Sequence, residues 1–187
     1  MNVELTGGKI ATVSVFNVKA TILSLLQDKS LMSEENLAQG YDLFSGKPTK
    51  NSTHYREVHT GDVWEPACQR YCGYVKENMS LALIFFADKS HFDQHGALSK
   101  TPFIFTLSCF NKEARARADF WRPTAYLTNL NYGTTSVSAK DSCGSSQTAS
   151  VQDKHMCVQA ALSSLKSLAS RGEISTVVKG RLVVEKV

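Results

Sequence analysis

The longest unbroken apolar stretch, Leu81-Ala-Leu-Ile-Phe-Phe-Ala87, lies between polar segments and has the length of a strand. A half-exposed strand alternates apolar with polar positions, so an unbroken run predicts a strand buried on both faces. Residues 103–110 place Phe105, Leu107 and Cys109 on one face, which predicts a second strand. Residues 121–130 predict a third, with Pro123 marking an edge or a bulge. Residues 88–99 read as a turn, and 111–119 as one or two helical turns. Three consecutive strands with short connections predict an antiparallel meander.

Upstream, residues 9–18 are rich in β-branched types and predict a strand. Ile22, Leu23, Leu25 and Leu26 then predict a short amphipathic helix over 18–27. Ser33, ahead of Glu34 and Glu35, reads as the N-cap of another short helix. Residues 45–60 read as a loop. Asp62 and Glu65 have capping-box spacing, and Trp64, Cys68, Tyr71 and Val75 recur at helical intervals. Downstream, the Ser/Thr/Gly-rich residues 131–152 predict a flexible loop. Asp153 reads as the cap of a helix to about residue 170, with Val158, Ala161, Leu162, Leu165, Leu168 and Ala169 as its stripe. Residues 174–187 read as two strands around Lys179-Gly180. The expected organisation is a mostly helical lead-in over 1–78 and a mixed α/β core over 79–187.

The 187 residues suit one domain with a lead-in, and 42% hydrophobic with 20% charged residues is ordinary for a globular chain. A net charge of +4 permits contact with a polyanion without arguing for one. The longest apolar run falls far short of the roughly 20 residues that span a bilayer, so no membrane partner is expected. No basic segment followed by an apolar one opens the chain, and its five cysteines are irregularly spaced. These features predict reduced thiols in the nucleus or cytoplasm and a protein that is not secreted.

The candidate chemistry centres on Asp88, at the end of the apolar run. A strand end holds a side chain rigidly while exposing it at a rim, which suits a carboxylate that binds a metal. Asp93 lies five residues on, flanked by His91 and His95. Asp and His are good ligands for divalent ions. The plainer alternative is that Asp88 begins a turn, where Asp is favoured for local hydrogen bonding. A strand with a terminal Asp, two antiparallel strands and then a helix is the order that opens the ribonuclease H-like nuclease fold. Enzymes of that fold hold two metals between several carboxylates and cut or transfer phosphodiesters. Lys112, Arg115, Arg117 and Arg122 form a basic cluster, with Phe120 and Trp121 as aromatics that could stack on bases. The alternative is a solvated helix face, since Glu113 and Asp119 interrupt the cluster. Cys68 and Cys72, one helical turn apart, could share a zinc with His54 or His59, but core packing explains them as well.

Several stretches resemble transposable-element proteins of the Plavaka type, within the CACTA group. They are Leu25-Leu-Gln-Asp-Lys-Ser-Leu-Met-Ser-Glu-Glu-Asn-Leu37, His59-Thr-Gly-Asp-Val-Trp64, Phe86-Ala-Asp-Lys-Ser-His-Phe-Asp-Gln-His-Gly96, Pro102-Phe-Ile-Phe-Thr-Leu107 and Phe120-Trp-Arg-Pro-Thr-Ala-Tyr-Leu-Thr-Asn-Leu130. The resemblance implies that Asp88 matches the first acidic residue of a DDE-type transposase core and that Asp93 and Gly96 belong to the same block. It implies Mg²⁺ or Mn²⁺ as cofactor, held here by Asp88 and Asp93, and DNA as partner. In the family the pattern runs past the segment matching 180–187 to a second strand ending in Gly-Asp, which this chain does not reach. The expectation is therefore a partial ribonuclease H-like core in a truncated, transposon-derived protein. Its ancestral activity would be DNA strand cleavage and transfer, and it would be inactive as this chain. The alternative is a nucleic-acid-binding or protein-interaction module without catalysis, with self-association as a further expectation.

Overall fold

A computed structural model describes residues 1–39, 57–72, 78–79, 81–88, 90–91, 99–128, 145–171, 173–178 and 181–186. The strands are β1 (Asn2–Glu4), β2 (Ile10–Val15), β3 (Asn78–Met79), β4 (Leu83–Ala87), β5 (Ser90–His91), β6 (Ser99–Leu107), β7 (Arg122–Thr128), β8 (Glu173–Val178) and β9 (Arg181–Lys186). The helices are α1 (Val18–Leu26), α2 (Trp64–Cys72), α3 (Lys112–Arg115), α4 (Ser145–Ala161) and α5 (Ser163–Arg171). The fold is mixed α/β. Five strands form an open antiparallel sheet in the order β1-β2-β7-β6-β4, and β5 adds to β6. The predicted meander is thus present as β4, β6 and β7. A second sheet has the order β3-β9-β8, with β8 and β9 paired antiparallel; Lys179 and Gly180 lie outside the described residues.

The chain divides into two compact units. One comprises Met1–Phe16, Ala87–Phe103 and Pro123–Ser163, and the other Asn17–Phe86, Ile104–Arg122 and Ser164–Val187. In the first, β1 and β2 pair antiparallel around Gly7 and Gly8, whose φ angles of 79° and 74° lie where a side chain is strained. β2 alternates as a half-buried strand should, with Ala11 and Val13 inside and Ile10, Thr12 and Ser14 outside. It pairs with β7 in the register Val13↔Leu127, Ser14↔Tyr126 and Val15↔Ala125. Onto the inner face of these strands α4 lays Cys157, Ala160 and Ala161, closing a core with Val3, Leu5, Ala11, Val13 and Ala125.

In the second unit, Asn17 caps α1 by accepting from the Ala20 N–H at 3.1 Å. Val18, Ile22, Leu25 and Leu26, at i, i+4, i+7 and i+8, form the buried stripe of the helix. That stripe joins Leu31, Met32, Phe105, Leu107, Cys109, Phe110, Phe120 and Leu168 in one core. The rings of Phe110 and Phe120 meet edge to face, 4.7 Å between centroids. Asn111 caps α3, accepting from the Ala114 N–H at 2.8 Å while its amide donates to the Glu35 carbonyl at 2.7 Å.

Five local expectations need correction. The apolar run is not buried on both faces: Leu83 and Ile84 are half-buried, and Phe85 and Phe86 are 39% and 50% exposed. β4 closes the order of the described sheet, whereas β6 is interior. Burial on both faces is found instead at the end of β6, where Phe105, Thr106 and Leu107 are inaccessible, and in β7 at Thr124 and Ala125. Pro123 lies at the second residue of β7, an interior strand, and so marks a strand start rather than an edge or bulge. Ser33 makes no side-chain cap, and the turn after it is a single 3-10 turn, Glu34–Asn36. Residues 145–152 are helix, not loop, so Asp153 lies inside α4 rather than at its start; residues 131–144 lie outside the described residues. The stretch 88–99 is not all turn, since it holds β5 and the first residue of β6.

Candidate functional site

Asp88 follows β4 directly and is exposed. His91 lies in β5, which pairs with β6 through Ser90↔Lys100 and His91↔Ser99. Asp93, His95 and Gly96 lie outside the described residues. Among the described residues no group of three or more His, Cys, Asp and Glu could hold a metal ion. What the structure provides for the expected chemistry is the position of one carboxylate, fixed in backbone by the strand before it.

The basic cluster is divided by its own partners. Arg115 is half-buried and donates to Glu57 Oε2 at 2.6 Å and to the Phe110 carbonyl at 2.7 Å. Its own carbonyl accepts from the Trp121 indole N–H at 2.7 Å. Arg117 pairs with Asp119 at 2.7 Å and lies 4.9 Å over the Phe120 ring. Arg122 donates to the carbonyls of Asp119 at 2.6 Å and Trp121 at 3.0 Å, and to Ser24 Oγ at 3.1 Å. Lys112 is exposed. Phe120 is fully buried, so it cannot stack on a base, and Trp121 is half-buried. Arg115 and Arg122 thus tie local backbone together, and Arg117 is paired with a neighbouring carboxylate. A guanidinium committed to carbonyls and a carboxylate has fewer donors for phosphate.

Of the zinc candidates, Cys68 is buried in α2, and His59 Nε2 lies 3.1 Å from the Gln39 carbonyl. His54 lies outside the described residues. The helix carries Trp64 and Cys68 inward at i and i+4, as core packing requires.

Asp153, read in the sequence as a helix cap, is instead a buried carboxylate inside α4. Asp153 is 1% exposed, and its Oδ1 accepts from both the N–H and the hydroxyl of Thr6, at 2.7 and 2.6 Å. Cys157 sits one helical turn on, buried on the same side, while His155 at i+2 is exposed. Helical geometry therefore turns Cys157 and His155 to different sides of α4. Burial pushes the Cys157 thiol up, and the nearby Asp153 charge adds to the rise, so the thiol stays protonated and poorly nucleophilic at neutral pH. Asp28 shows the opposite shift. The Ser30 hydroxyl at 2.6 Å, with the N–H groups of Leu31 and Ser30, holds its carboxyl below the usual value. Among the described residues no helix is long and apolar enough to cross a membrane. No family model, no curated protein and no solved structure matches the chain.

Proposed function

We propose that the chain carries part of a ribonuclease H-like core of DDE-transposase type, with Asp88 as a ligand for Mg²⁺ or Mn²⁺ and DNA strand cleavage and transfer as the ancestral activity. The observation that supports this reading is the neighbour order β7-β6-β4, with Asp88 immediately after β4. It matches the order of the first three strands of that fold, and β4 occupies the side of the described sheet where a further strand bearing a second acid would add. The helix that follows, α4, agrees with the same order. Two-metal chemistry needs several carboxylates to clamp attacking and leaving oxygens. Among the described residues no such group of three or more metal-ligating side chains forms around Asp88.

The test is Mn²⁺ titration of the wild-type chain and of Asp88→Asn, read by relaxation broadening of amide resonances. Broadening around residue 88 that Asp88→Asn abolishes, in a variant with unchanged dispersion elsewhere, supports the reading. Identical broadening in both proteins removes Asp88 from any site. A DNA-binding module through Lys112, Arg115, Arg117 and Arg122 has weaker support, because the last three are held by local acceptors.

A further inference from the structure

We draw no further inference here: the strongest candidate, the exposed apolar pair Phe85 and Phe86 on the sheet strand β4, carries nothing because nothing in the structure shows what covers it.

Discussion

The two compact units fill their cores by different means. The unit built on α1 uses large side chains: Phe105, Phe110, Phe120, Ile22, Leu25 and Leu107 are all fully buried. The unit built on β1, β2 and α4 uses small ones, with Ala11, Ala125, Ala160, Ala161 and Cys157 between its layers. Large rings contribute much apolar area each and leave large holes when removed. Small residues let a helix approach a sheet closely but bury little area per residue. There the buried Asp153 carboxylate adds a polar tie to Thr6.

This contrast can be broken most easily at Phe110. Phe110→Ala should cost about 3–5 kcal/mol, as large-to-small changes at sealed sites do, seen as a lower urea midpoint. A loss below about 1 kcal/mol would mean that the aromatic core tolerates a void and that the contrast is false. Next comes the polar tie. Asp153→Ala removes two hydrogen bonds to a carboxylate and should cost about 2–3 kcal/mol. Thr6→Val removes only the hydroxyl and should cost about 1 kcal/mol. If Asp153→Ala behaves like a neutral surface change, the small-residue unit needs no such tie.

The third test has the opposite sign. The Thr106 hydroxyl is fully buried and finds no hydrogen-bond partner among the described residues. Thr106→Val keeps the shape and removes the unmet polar group, so stability should rise by about 1 kcal/mol. A decrease would show that the hydroxyl has a partner.

The smallest effects are in pH. Cys157 is shifted upward from 9.0, so the folded thiol keeps its proton where the unfolded thiol loses it. Its contribution is complete below pH 9.0 and is lost as pH rises beyond that value. Asp28 is shifted downward from 3.8, so its contribution is present above that pH and is lost as pH falls below it. Cys157→Ala should flatten the alkaline limb of the stability profile, and Asp28→Asn the acid limb. Interchanged effects would refute both assignments.

What the chain made legible follows the same division. The stripe of α1, the buried Phe105 and Leu107 of β6 and the paired strands β8 and β9 were readable, although β6 ends before Cys109, which lies in the turn after it. The apolar run at 81–87 misled because hydrophobicity reports what a strand could bury, not its place in a sheet. β6 holds that place despite Thr106, since burial there comes from neighbours on both sides. The first turns of α4 were missed because Ser145–Ala161 has few large apolar residues to mark a stripe. Asp153 then imitated a cap, a local reading that could not register a partner 147 residues away. The partners of the basic cluster were equally illegible: its charges are visible in sequence, but the carbonyls and the Glu57 carboxylate that engage them are not. As for the site, the end of β4 placed Asp88 where the pattern implied, while its expected neighbour Asp93 lies outside the described residues.

The bond from Thr6 to Asp153 also orders events in time. The β1–β2 hairpin emerges from the ribosome early, but the acceptor for its turn is made 147 residues later. At synthesis rates of roughly 5–20 residues per second, that delay is about 7–30 s. Through that interval the nascent β1–β2 segment exposes Val3, Leu5, Ala11 and Val13 without their helix.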